Sequence, residues 1–353
     1  MKILYINQIE TCAGWGLETF INQYLLEFGA TTICVDYEKN AYSLAHELLK
    51  INENFDVVLL ERGCRYLIPI EILKAIKRPK IFLLTELVAR NPNEHYLLNS
   101  GIFEHILFRS LPCMDEALAK GWLARHQLSL FLSAIDPSFH RYIENTPKDI
   151  DILFVGNLLP RRQEIIDELN KSFVVTIYTV FGQDMVKLIN RAKIILNIHG
   201  TDLLDTETRV YETLACKGFL LTESLSRESP FQNGIHLVEA KNISDLKEKI
   251  AYYLDNDFDR ESIAESGYQE VIHQHTFQQR AKQLIQTIEP YLSTHSLTED
   301  TFARAALERC ASWEVFYKAR DETTRITKQY LSIVKQAILR VLRFRVRTRV
   351  KNI

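Results

Sequence analysis

The chain has 353 residues, 46% of them hydrophobic and 25% charged, with a formal net charge of −2. That is the make-up of a globular protein with room for two ordinary domains, and the charge balance argues against wholesale nucleic-acid binding. No apolar run reaches the ~18 residues that would span a bilayer, and the opening Met-Lys-Ile-Leu-Tyr-Ile-Asn-Gln turns polar too soon for a secretion signal, so a cytoplasmic location is expected.

Strand-like apolar runs at 3–6, 32–35, 57–60, 81–84, 105–108 and 128–132 alternate with amphipathic stretches such as 17–28 and 42–51. That alternation is the mark of a doubly wound α/β domain. Open α/β sheets bind ligands beyond the C-terminal ends of their strands, so each strand end is a place to look. Gly14 and Gly16 follow the first strand and precede a helix, where they let backbone approach a ligand or simply make a tight turn. Glu61 ends the third strand and Glu86 follows the fourth. An acid in such a place can serve as general base or cap a helix and pair with Arg90.

Residues 136–147, with Pro137 and Pro147, break the rhythm and read as a linker. It restarts with a strand at 152–155, then Gly156, then Pro160, Arg161 and Arg162 at a helix start, an anion-friendly turn. A further strand is expected at 174–180. Residues 193–223 read as strand, loop, helix, strand, the unit that builds a parallel sheet. Thr206 is the expected N-cap and Gly218 the expected helix end. Arg209 then lies in the first turn, where the helix dipole disfavours a cation but welcomes an anion. It is either a phosphate clamp, with Glu212 on the same face for a diol, or one half of an ion pair with Glu207 or Glu212. A last short strand at 236–238 and helices at 244–254, 260–273 and 277–291 complete the pattern.

The cysteines Cys12, Cys34, Cys64, Cys113, Cys216 and Cys310 are widely spaced without a C-x-x-C, so they read as reduced thiols and not as a disulfide or zinc framework. Asp149-x-Asp151 precedes a strand and Asp255-Asn-Asp257 ends a helix, neither being a place to chelate a metal on a pyrophosphate. No metal and no resident cofactor are therefore expected. His273 and His275, two apart, read as surface residues.

From Thr323 onward there is no acid, while nine cations run from Arg325 to Lys351. Ile326, Tyr330, Ile333, Ala337 and Val341 fall on one helical face. Such a tail docks on the body or a second copy, or lies on an anionic membrane surface.

The pattern from Asn197-x-His199 through Arg209-x-Tyr211-Glu212 to Glu223 resembles the donor-binding core of spore-maturation-type (CgeB-like) glycosyltransferases, with the C-terminal domain of group 1 glycosyl transferases. The resemblance extends from about Asp151 to Leu292. It implies a GT-B fold: an N-terminal Rossmann-like acceptor-side domain at 1–140, a Rossmann-like donor domain at 150–292 and a helical basic extension at 293–353. It further implies metal-independent transfer of a sugar, hexosyltransferase-like, from a nucleotide-activated donor to a hydroxyl of a glycan, lipid-linked or protein acceptor. Gly156, Arg161, Asn197, His199, Arg209, Tyr211 and Glu212 would line the donor pocket, Gly14 and Gly16 the cleft, and Glu86 would be the base. The Glu-x7-Glu motif of many retaining members is absent, because Leu204 stands eight residues before Glu212. A nucleotide-sugar epimerase or hydrolase on the same fold, and a non-catalytic nucleotide-sugar-binding scaffold, are the alternatives.

Overall fold

The computed structural model describes all residues except 12–15, 63–66, 86–94, 293–299 and 351–353, and the side chains of 62, 330 and 332–350 lie outside the description as well. Gly14 and Glu86 fall among the residues not described, as does the apolar and basic face expected beyond residue 331.

The first sheet is built from β1 (Lys2–Asn7), β2 (Thr31–Asp36), β3 (Val57–Arg62), β4 (Lys80–Leu84), β5 (His105–Phe108) and β6 (Leu128–Leu130) in the order β2-β1-β3-β4-β5-β6, all parallel. Parallel strands covered on both faces lose the in–out alternation and read as continuous apolar runs. That is why Ile3 to Ile6 and Val57 to Leu60 are buried throughout. One face carries α2 (Leu44–Leu49), α3 (Ile70–Lys74), α4 (His95–Leu98) and α5 (Leu111–Ala119), and the other carries α1 (Leu17–Glu27).

The second sheet has β7 (Ile150–Val155), β8 (Val175–Tyr178), β9 (Ala192–Asn197), β10 (Leu220–Glu223) and β11 (Val238–Ala240) in the order β11-β10-β9-β7-β8, again parallel. Around it lie α6 (Pro160–Leu169), α7 (Gly182–Arg191), α8 (Thr208–Ala215), α9 (Ile243–Asp255) and α10 (Asp257–Gln274). Glu207, not Thr206, is the N-cap of α8, and the left-handed residue after it is Lys217 (φ 53°), not Gly218. Gly218 is needed for space: a Cβ there would lie 2.9–3.0 Å from Ile189, Ile195 and Thr213 side chains.

Helix α11 (Phe277–Leu292) crosses back to the first sheet, where Phe277, Ala281, Leu284 and Ile288 share a core with Ile3, Tyr5 and Phe20. Phe302 and Leu307 fill the opposite core, and α12 (Arg304–Val350) leaves the body after packing on α2 and α3. The first domain is thus closed by residues far along the chain. The two crossings run side by side, Ile135 pairing with Thr276 through Ile135 N–H to His275 O and Phe277 N–H to Ile135 O, both 2.9 Å. His275 is not a surface residue. It is buried against Tyr211 and Phe231.

Candidate active site

Because both sheets are parallel, their C-terminal strand ends gather on one edge, and the two edges face each other across a cavity of about 420 Å³. The first domain contributes Gly16, Leu17 and Arg109, the crossing contributes His140, and the second contributes Gly156, Arg162, Asn197, Asp205, Arg209 and Glu212.

Gly156 follows β7 with φ 153°, a left-handed-side conformation that side chains rarely adopt. The chain then runs into α6 with Pro160 in its first turn. One residue step along that helix decides which arginine enters the cavity. Arg161 is held away by Glu223, Nη1 donating at 2.8 Å and Nη2 at 2.6 Å, and its Nε bonds Asp202. Arg162 lines the cavity instead. Its Nε donates to Ile198 O at 2.7 Å, its Nη2 to both oxygens of Glu207 at 3.2 Å, and its guanidinium lies over the Phe154 ring.

Asn197 ends β9 on the cavity wall, its Nδ2 donating to Thr222 Oγ1 at 2.9 Å. His199, two residues on, is buried, with Nε2 donating to Ser224 O at 2.9 Å and its backbone N–H to Glu223 Oε2 at 2.8 Å. It does not line the cavity. Tyr211 does not either: it is fully buried among core residues, and burial pushes its phenol well up.

Arg209 sits in the first turn of α8 with its side chain largely buried. Its Nε stands 3.6 Å from Glu212 Oε2, beyond hydrogen-bond reach, and its Nη1 is buried with no partner among the described residues. Glu212 faces His140 on its other side, Oε1 to Nε2 at 3.7 Å. The His140 Nδ1 accepts the Asp136 N–H at 3.3 Å, so its ring proton resides on Nε2, and burial lowers its pKa despite Glu212. Arg109 and His140 carried no sequence signal, because each reaches the site only through the packing of two domains.

The structure therefore brings Gly16, Gly156, Asn197, Arg209 and Glu212 to one cavity and leaves Arg161, His199 and Tyr211 out of its lining. The arrangement suits an elongated anion: guanidinium groups and the helix N-terminus at one end of α8, a carboxylate one turn further. The carboxylates of Asp149-x-Asp151 are engaged elsewhere, Asp149 with Arg191 and Asp151 with Lys193.

Residues 139–286 match the family described as glycosyl transferase-like. A stretch of 79 residues is 33% identical to an uncharacterized protein of Acanthamoeba polyphaga mimivirus, covering 22% of this chain and 25% of that protein. The match thus spans about a quarter of that relative's length. Among solved structures, Anabaena HepE in complex with UDP and glucose superposes with a TM-score of 0.64 at 10% identity, over 82% of this chain and 100% of that one. A glycosyltransferase from Rickettsia africae gives 0.60 at 13% identity, over 83% and 99%. Sucrose-phosphate synthase from Thermosynechococcus elongatus gives 0.60 at 10%, over 84% and 100%. These likenesses establish the GT-B fold, two Rossmann-like halves facing a cleft.

Proposed function

We propose that this cleft binds a nucleoside-diphosphate sugar and transfers the sugar to an acceptor hydroxyl. The observation that carries the reading is Arg209: a largely buried guanidinium at a helix start, with an unpartnered Nη1, lining a cavity beside a second arginine. Folding alone gives no reason for a cation there, since the dipole opposes it and a buried donor without a partner costs about 1–3 kcal/mol. A diphosphate supplies the missing acceptor. Arg162 and the α8 N-terminus would share it, Gly156 would admit it to the backbone, and Glu212 would accept the ribose hydroxyls.

In transfer, charge builds on the leaving diphosphate as the glycosidic bond breaks. Groups fixed in place beforehand stabilise it without reorganising. Two arginines and a helix N-terminus provide that field, so transfer without a metal is part of the proposal, as is the spore-maturation subtype. HepE and its complexes with UDP and UDP-glucose make a uridine nucleotide the first to test. Among the described residues no helix is long and apolar enough to cross a membrane. The acceptor is a glycan, a lipid-linked saccharide or a protein, and the basic α12 is where an anionic membrane or a second copy would engage.

Calorimetric titration with UDP, GDP, ADP, CDP and dTDP tests the reading. Saturable binding of one of them, lost in Arg209→Ala, supports it, and absence of binding by all five overturns it. Release of the sugar without any acceptor would point to the hydrolase alternative, and binding without turnover to the scaffold.

A further inference from the structure

We propose that His140 sets the cleft to accept ribonucleotides and reject deoxyribonucleotides, by completing with Arg209 and Glu212 a receptor for the two ribose hydroxyls. The inference rests on the nucleoside-diphosphate reading above and deepens it.

His140, Arg209 and Glu212 all line the cavity. The Glu212 side chain is 9% exposed, and a donor stands on each side of its carboxylate. His140 Nε2 lies 3.7 Å from Oε1, and Arg209 Nε lies 3.6 Å from Oε2. Both separations exceed hydrogen-bond reach. Among the described residues no hydrogen bond reaches the carboxylate or uses His140 Nε2–H. A buried acid set between two donors and bonded to neither costs desolvation with little in return.

The gaps suit a group that both accepts and donates, and a hydroxyl does both. Its oxygen, ~2.8 Å from each partner, takes a proton bond from the donor and gives one to the carboxylate. Two such gaps on the two oxygens of one carboxylate match two neighbouring cis hydroxyls. A ribose carries that pair, and a 2′-deoxyribose does not. Glu212 lies three residues beyond Arg209, about 4.5 Å along α8. The receptor is therefore one step from the helix start, as a ribose is one step from its phosphates. Arg209 serves both, because its Nη1 stays unpartnered while Nε faces Glu212.

His140 is held as a fixed donor. Its Nδ1 accepts the Asp136 N–H at 3.3 Å, its own N–H donates to Asp136 O at 2.7 Å, and its ring packs edgewise against Phe139. The Asp136 carboxylate in turn accepts the Ser138 N–H at 2.9 Å and the Tyr24 hydroxyl at 2.8 Å. The crossing and α1 thus fix the ring with Nε2 toward Glu212. A second ring proton would set Nδ1–H against the Asp136 N–H, and burial also disfavours the charge. The ring stays neutral. A ligand lacking a hydroxyl leaves one buried donor and one carboxylate oxygen unpaired, which is how a polar site rejects such an analogue.

The test is calorimetric titration of the full chain with UDP, ADP, GDP and CDP and with the 2′-deoxy and 3′-deoxy form of each. It compares the wild type with His140→Phe, His140→Met and His140→Gln. The wild type should bind its preferred ribonucleotide about ten-fold or more tightly than either deoxy form. Phenylalanine and methionine fill the space without a donor. Each should weaken the ribonucleotide about ten-fold and bring one of its deoxy forms to within about three-fold of it. Glutamine, whose amide N–H reaches the place of Nε2–H, should restore most of the preference. Equal wild-type affinity for ribo and deoxy forms, or binding of dTDP alone, overturns the receptor and leaves the nucleoside-diphosphate reading standing. A loss shared equally by ribo and deoxy forms in the phenylalanine and methionine variants overturns the role of His140, because a structural fault weakens every ligand alike. A wild-type protein that binds none of these nucleotides removes the reading and the receptor together.

Discussion

Arg109 and Asp205 meet across the cleft. Nη2 of Arg109, the residue after β5, donates to Oδ2 of Asp205, in the loop before α8, at 2.8 Å. The Asp205 side chain is 2% exposed and that of Arg109 16%. Removing the cation takes a charged partner from a buried carboxylate, whereas neutralising the carboxylate leaves an arginine that can still reach water. Arg109→Ala should therefore cost about 3 kcal/mol of stability and Asp205→Asn about 1 kcal/mol. Urea unfolding of the two variants checks this, and equal or reversed costs would show that the pair is not a buried one.

Arg209→Ala should leave stability within about 1 kcal/mol, since the substitution removes an unfavourable contact with the α8 dipole and only a 3.6 Å approach to Glu212. Nucleoside-diphosphate affinity should fall roughly ten- to a hundred-fold, equivalent to about 1.5–3 kcal/mol. Lysine should rescue only part of it, lacking a planar fork for two phosphate oxygens. Normal affinity with a lowered melting point would mean that the residue serves folding.

Activity should survive EDTA. The motive is the cationic end of the cleft, where Arg162 and Arg209 stand at two helix starts. Loss of turnover that added magnesium or manganese restores would sink the expectation.

Gly267→Ala should destabilise the second domain by at least 1–3 kcal/mol. Helix α10 presses on the loop before β11 so closely that a Cβ would overlap the His236 carbonyl oxygen and sit 2.7 Å from Leu214 Cδ2. Backbone cannot turn aside as a flexible side chain can. A melting temperature unchanged from wild type would refute the close approach.

His275 should give the protein an acid-sensitive window. Burial foremost, and then Arg280, lower its pKa from 6.5 to about 4, although Glu270 at 3.4 Å pulls the other way. The unfolded chain therefore takes up a proton that the folded one refuses. This contribution is whole above pH 6.5 and drains away as pH falls to about 4, by roughly 3 kcal/mol at most given ~1.4 kcal/mol per unit. His275→Phe keeps an aromatic ring against Tyr211 and Phe231. Its unfolding free energy should fall less steeply than wild type between pH 6.5 and 4.5, and parallel curves would exclude the effect.

The sheets were legible because parallel strands buried on both faces spell themselves as apolar runs, as Ile81 to Leu84 and His105 to Phe108 do. Arg209 and Glu212 were legible because a cation in a first turn contradicts the dipole and three residues return to the same helical face. What escaped depended on angles and on partners distant in sequence. Arg161 and Arg162 differ by about 100° around α6, and that rotation sends one to Glu223 and the other to the cavity. Tyr211, two residues beyond Arg209, turns inward for the same reason. Arg109 and His140 acquire meaning only when the two domains pack together, bringing them to Asp205 and Glu212.

The return of the chain to its first sheet bears on how the molecule can be made. Phe302 and Leu307 are buried in the first core, Lys77 N–H bonds Thr301 O, Ala303 N–H bonds Ala75 O, and the Glu314 carboxylate accepts the Ala45 N–H. During synthesis the first domain must wait, with part of its core open, while the whole second domain emerges and folds as an insertion. A shortened gene ending before residue 300, which the linear reading would have favoured, leaves that half without its closing pieces. Its products should collect in inclusion bodies, whereas residues 150–274 expressed alone keep every strand of their own sheet.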